Sequence, residues 1–312
     1  MIYETDLLTA DDFTPASGEE TLEEENLRPS RSYWTGVFDR LRTNKVAIVS
    51  LSVLAVIILL AIIAPIVGQS YETTDLLHTN ESPSAAHWFG TDASGRDLWS
   101  RVWVGARVSL LIGLFGALIP EFVGILIGGI SGYFGGWVDM LIMRIIDIGI
   151  CIPSLVYITL VMLLLDSGPV AIIVAISLTG WMGTARMVRG RILQFKSREF
   201  VLASRTMGAS SMHLIFRSIL PNILGQLVVN ITSAIPSVIF TEAYLSFIGL
   251  GVKSPMTSLG QLSQVGVTNY RLYPWQLFIP GIVISVTILM FYLFGNCLRD
   301  ALDPHSEGDG NG

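Results

Sequence analysis

The chain has 312 residues, of which 51% are hydrophobic and 14% charged, with a mean hydropathy of +0.60 and a formal net charge of −6. Soluble domains carry about a quarter charged residues, so this composition decides against a soluble domain and for a membrane protein. The acidic balance says little about partners, because Glu19, Glu20, Glu23, Glu24 and Glu25 crowd one end and Glu307 and Asp309 the other, leaving a basic membrane body.

The first residues carry Asp, Glu and Thr where a secretory signal would have a positive region and an apolar core, so no cleaved signal is expected. Residues 1–30 are acidic and poor in large apolar side chains, which predicts a disordered tail. Trp34, Val37, Phe38 and Leu41 then fall at helical spacing beside Arg31, Arg40, Arg42 and Lys45, the pattern of a basic amphipathic helix on a membrane surface. Together with the apolar run from Val46 to Val67 this makes a unit over 31–67. The run is long enough to cross about 30 Å of hydrocarbon as a helix.

Five further spans are expected at about 108–132, 140–165, 170–189, 223–248 and 277–297, giving six in an all-α polytopic protein. Basic residues are retained on the cytoplasmic side. Placing both termini there puts Arg28, Arg31, Arg40, Arg42, Lys45, Arg144, Arg186, Arg189, Arg191, Lys196, Arg198, Arg205, Arg217 and Arg299 inside. It leaves Arg96, Arg101, Arg107, Lys253 and Arg271 outside.

Segment 68–107 is then extracytoplasmic and contains His87-Trp-Phe-Gly-Thr-Asp92-Ala-Ser94-Gly-Arg96-Asp97-Leu-Trp-Ser-Arg101. Ser94 followed three residues later by Asp97 reads as a capping box for a helix, in preference to a metal or catalytic set made of His87, Asp92 and Asp97. In the second span Gly116, Pro120, Gly124, Gly128, Gly132 and Gly136 recur every fourth residue, a seam along which another helix backbone can approach. Glu121 interrupts this span. An ionised carboxylate there costs roughly 2.5–3.5 kcal/mol, so it faces the bundle interior or a wet cavity, as a pathway residue or as a buried structural acid.

Arg144 and Asp147 are expected to pair across one helical turn, and Ile152-Pro153-Ser154 to loosen the third span. Thr179-Gly180-Trp181 adds a small-residue contact in the fourth. Cys151 and Cys297 lie in apolar runs far apart, as buried thiols rather than a disulfide or a metal pair.

Segment 190–222 mixes polar and basic residues between apolar spans. Phe200, Ala203 and Met207 recur at helical spacing, Gly208 permits a left-handed turn, and Leu214, Ile215, Phe216 and Ile219 restart the pattern until Pro221 closes it. Two short helices meeting at Gly208 form a soluble knuckle between spans. Beyond it, Glu242 and Ser246, followed by Gly249 and Gly251, suit a gate or pore lining more than contact with lipid. There is no Gly-Lys dipeptide and therefore no phosphate-cradling G-x-x-x-x-G-K-[ST] loop, no His-Glu-x-x-His and no cysteine cluster. The basic residues flank spans, which leaves nucleic-acid binding unsupported.

Glu199, Ala203, Ser204, Gly208 and Ile219-Leu220-Pro221 resemble the "EAA" loop of ABC importer membrane subunits, with Ser204 in place of the second alanine. The run from His87 to Arg101 resembles the signature of the second membrane subunit of oligopeptide and dipeptide importers. Glu242-Ala-Tyr-Leu-Ser246-Phe-Ile-Gly249-Leu-Gly251 and Leu298-Arg299-Asp300-Ala-Leu302-Asp303-Pro304 are similar to further segments of that group, while Leu259 stands where it has tryptophan. The resemblance spans about residues 31–304, with a permease core at 108–304 and a cytoplasmic tail at 305–312.

It implies a type I ABC importer permease fold and a non-catalytic subunit in the bacterial cytoplasmic membrane. The implied assembly has a homologous second permease, two ATPase subunits that bind the ATP and Mg, and an extracytoplasmic binding protein. Glu199, Ala203, Ser204 and Gly208 would couple to the ATPases, and Glu242 and Ser246 would serve the gate. Peptides are the expected cargo, with nickel or glutathione as alternatives. Two other classes stay open: an ion-coupled secondary transporter, for which Glu121 is the one midplane candidate, and a non-transporting membrane scaffold.

Overall fold

The computed structural model describes residues 33–302 apart from 69, and the expected tails at 1–30 and 305–312 lie outside the described residues. The regular elements among the described residues are helices, with one isolated bridge between Thr91 and Asp97.

Helix α1 (Tyr33–Thr43) lays Val37 and Leu41 against Val229, Leu298, Ala301 and Leu302, while Trp34 and Phe38 stay exposed. Asn44 then caps α2 (Lys45–Val67), accepting from the backbone N–H groups of Val46 and Ala47. This helix is apolar all round: Leu54, Ile57 and Ala61 are buried, whereas Val49, Val56, Leu59 and Ile62 face outward, as lipid contact requires.

Helix α3 (Leu98–Phe134) has 37 residues and is about 55 Å long at 1.5 Å per residue, so it begins ten residues earlier than the apolar run suggests and projects beyond a bilayer core. Asp97 is the cap, accepting from Ser100 N–H at 2.9 Å. The expected cap, Ser94, instead donates its N–H to Asp92.

The third apolar stretch is two helices, α4 (Gly136–Cys151) and α5 (Ser154–Leu164), bent by 87°. Pro153 drives the preceding residue out of helical space, and Ile152 accordingly sits at ψ 126°. The expected loosening is therefore a full break, and it leaves Cys151 exposed while Cys297 is buried. Five helices are long and apolar enough to cross a membrane, or six if the bent pair counts as one span.

Helix α6 (Pro169–Lys196) makes the most extensive pairing in the molecule, with α3. A Cβ added at Gly124 would lie 2.6 Å from Thr184, and one at Gly128 2.3 Å from the carbonyl oxygen of Ala185. The small-residue seam is thus where the two backbones touch. Gly116 faces Val238 instead, and Gly136 stands beyond the helix end with φ +57°. Asp147 pairs with Arg186 of α6 at 2.7 Å, replacing the expected local pairing with Arg144.

After α6 come α7 (Glu199–Thr206) and α8 (Ser211–His213), which runs through a π-helical segment (Leu214–Ile219) into α9 (Leu220–Phe247). Pro221 does not close a helix. Leu220 N–H reaches back five residues to Ile215 O, and this widened turn takes up a proline that would interrupt a regular ladder. Helix α10 (Leu259–Asn269) wedges beside α9 and α11 (Trp275–Leu302), burying Leu259 and Leu262 with Val102, Trp103 and Ala106 of α3.

Candidate functional site

The knuckle is held by its inner side and open on its outer one. Val201 of α7 packs into a core with Val188, Ile192, Leu214, Ile219 and Ile223. Glu199, Ala203 and Gly208 are exposed, Ser204 half-buried, and Phe200 and Met207 are exposed too, so the apolar recurrence expected to pack is instead largely presented outward. Glu199 opens α7, where the positive end of the helix dipole favours a carboxylate. The Ser204 hydroxyl donates to the carbonyl of Phe200 at 2.8 Å, within its own helix. Gly208 has φ +87°, the left-handed conformation that lets the chain leave α7 and re-enter at Ser211.

Glu121, midway along α3, is 4% exposed and accepts from Thr184 Oγ1 at 2.7 Å and from Asn230 Nδ2 at 3.4 Å. One carboxylate therefore joins α3, α6 and α9. Glu242 is fully buried near the far end of α9, taking the hydroxyls of Ser109 at 2.7 Å and Ser246 at 2.8 Å. Ser258 donates to Ser246 at 3.2 Å, and Leu259 N–H to Ser109 at 3.3 Å. The structure thus brings Glu242 and Ser246 together and keeps Glu121 apart in a second network. Thr184, Asn230, Ser109 and Ser258 were not singled out from sequence, since a hydroxyl or amide in an apolar helix carries no spacing signal of its own.

The polar run at 87–101 folds on itself. Asp92 accepts the backbone N–H groups of Ser94 and Arg96 and the Arg96 Nε at 2.8 Å, and lies 3.5 Å from Arg101 Nε, whose side chain is 1% exposed. His87 Nδ1 is 3.0 Å from Asp97, and Thr91 Oγ1 donates to His78 O while receiving Glu81 N–H. No cluster of three or more His, Cys, Asp or Glu suited to a metal occurs among the described residues. The run's hydrogen bonds build the connecting segment. Nearby, the exposed His78 is bonded to Asp75 at 2.9 Å, which raises the imidazole pKa and lowers that of the carboxyl.

A bundle of apolar spans, carrying buried polar networks and one exposed helical knuckle, defines a multi-pass membrane protein, and its relatives make it a permease of the ABC importer type. The chain belongs to the family described as "Binding-protein-dependent transport system inner membrane component", which matches residues 124–307, and its residues 32–83 match the "N-terminal TM domain of oligopeptide transport permease C". It is 44% identical over 293 residues to "Oligopeptide transport system permease protein OppC" of Bacillus subtilis, covering 94% of this chain and 96% of that one. To "Dipeptide transport system permease protein DppC" of the same organism it is 43% identical over 279 residues, 89% of this chain and 87% of the other. A chain of the solved inward-facing MetNI methionine ABC transporter is similar at TM-score 0.48 and 21% identity, over 65% of this chain and 94% of that one.

Proposed function

We propose that this chain is one membrane subunit of an ATP-driven peptide importer, paired with a homologous permease, two ATPase subunits on the knuckle side and a binding protein on the other. The observation that carries the reading is the near full-length identity to permeases named for oligopeptide and dipeptide transport. The knuckle supplies the coupling: Glu199, Ala203, Ser204 and Gly208 lie on the element that stands clear of the bundle yet is tied through Val201 to α6 and α9. Its face is cytoplasmic, with both termini on that side, because the basic residues cluster there. ATP and Mg belong to the ATPases, since this chain carries no phosphate-binding loop.

Closure of the ATPases on ATP would push α7, and the π-helical segment would pass the motion into α9, at whose far end Glu242 and Ser246 hold the outer gate. Glu121 fixes the register of α3, α6 and α9 during that motion. Co-expression with its neighbouring ATPases and second permease tests the assembly: the four-part complex should purify intact and hydrolyse ATP faster when loaded binding protein is added. A chain that purifies without any ATPase contradicts the reading.

A further inference from the structure

At the knuckle end, α6, α9 and the ends of α1 and α11 border an open cleft of about 790 Å³. Such a volume suits a small organic ligand, for which sites of roughly 300–1,000 Å³ are usual. Its wall is mixed, amides and arginines standing among Trp34, Pro221, Val229 and Leu302, where the clefts along the spans are lined almost wholly by apolar groups. Asn222, Gln226 and Asn230 stand at successive turns of α9, Arg191 of α6 and Arg299 of α11 add two cations, and no carboxylate is among the described residues that line it.

The amides match one chemistry in particular. Each side-chain amide offers two donors and an acceptor. Four residues of helix advance about 6 Å, close to the roughly 6.6 Å between alternate peptide units of an extended chain. Asn222 already donates to the Ser218 carbonyl at 2.6 Å, Asn230 to Glu121 at 3.4 Å, and Arg191 to Gln194 at 3.2 Å. Each of the three retains further bonding capacity, and Glu121 lies behind Asn230. Arginine forks bind carboxylates bidentately.

We infer that this cleft receives a peptide in transit by its main chain and C-terminal carboxylate, the amides of α9 bonding the backbone and Arg191 with Arg299 the carboxylate, whatever the peptide's side chains. This rests on the peptide reading above. An anionic lipid headgroup would need the two arginines but leave the amide ladder unused.

The test is transport by the whole reconstituted complex, at saturating binding protein, of one pentapeptide as free acid and as C-terminal amide. R191Q and R299Q should each reduce the acid-to-amide rate ratio, and together by about tenfold, the scale of one charge-assisted hydrogen bond. Q226L should slow both forms and leave the ratio alone. Because a ratio is read, poor assembly of a variant does not mimic the result. An unchanged ratio in R191Q/R299Q, with the unaltered complex moving both peptides, overturns the inference and spares the peptide reading. An unaltered complex that moves neither peptide overturns both. Vesicles with about a quarter phosphatidylglycerol should give the same ratio as phosphatidylcholine alone; a ratio abolished by the anionic lipid assigns the arginines to headgroups and overturns the inference.

Discussion

Ser109 of α3 donates to Glu242 of α9 at 2.7 Å while its own oxygen takes the Leu259 N–H at 3.3 Å, so one hydroxyl ties three helices at the end of the bundle remote from the knuckle. Glu242→Ala would strip the acceptor from the hydroxyls of Ser109 and Ser246 in a fully buried site, at a cost of about 1–3 kcal/mol. The expected result is a clear drop in the melting temperature of the solubilised protein. Glu242→Gln, which keeps an amide oxygen, should lose less. Equal melting temperatures for all three proteins would contradict the role given to this network.

The contact of α3 with α6 depends on absent side chains. At Gly128 a Cβ would meet the Ala185 carbonyl oxygen at 2.3 Å, a backbone atom that no rotamer change can move aside, whereas nothing lies within 4 Å of one at Gly190. Gly128→Val should therefore abolish accumulation of folded protein in the membrane, and Gly190→Ala on the partner helix should leave it at the unaltered level. Membrane yield and protease resistance check this; a stable Gly128→Val protein would refute the close approach.

Gly208 isolates conformation from packing. Nothing lies within 4 Å of an added Cβ, but φ is +87°, where a branched side chain is strained by roughly 1–2 kcal/mol. Gly208→Val should insert normally and lose at least about tenfold in peptide transport per inserted molecule. Undiminished transport would contradict the coupling assignment.

The exposed pair Asp75–His78 predicts a local pH response. The hydrogen bond to Asp75 raises His78 above its usual 6.5, so its contribution is complete below 6.5 and lost as pH rises through the elevated value. The same bond, with the Leu77 N–H, lowers Asp75 below its usual 3.8, so its contribution is present above 3.8 and lost as pH falls through the depressed value. The pairing is strongest between the two usual values. Asp75→Asn should bring the imidazole titration of His78 back toward 6.5 in an NMR experiment, and an unmoved titration would show that the bond does not set it.

Local rules recovered much of this architecture because apolar length and small-residue spacing act within one helix. The spans other than the broken third one, the Gly124–Gly128 seam and the turn at Gly208 were legible for that reason. What escaped depended on tertiary context. Pro221 reads locally as a stop, but the π-helical turn before it lets the helix run on into α9. Asp147 reads as the partner of Arg144, yet Arg186 from another helix reaches it. Ser94 reads as a cap, but Asp92 captures its N–H and Asp97 takes the role. Phe200 and Met207 look like core and are presented outward instead. The amide row of Asn222, Gln226 and Asn230 was not singled out in the sequence and acquired meaning only once Arg191 and Arg299 stood around the same cleft.

The most direct measurement is uptake of labelled dipeptide, labelled pentapeptide and nickel by cells lacking this chain and by the same cells with it restored. The account predicts that peptide uptake is lost and regained while nickel uptake is unaffected, with the preferred length separating dipeptide from oligopeptide transport. Peptide uptake that persists without the chain, or loss and rescue of nickel uptake alone, would contradict it.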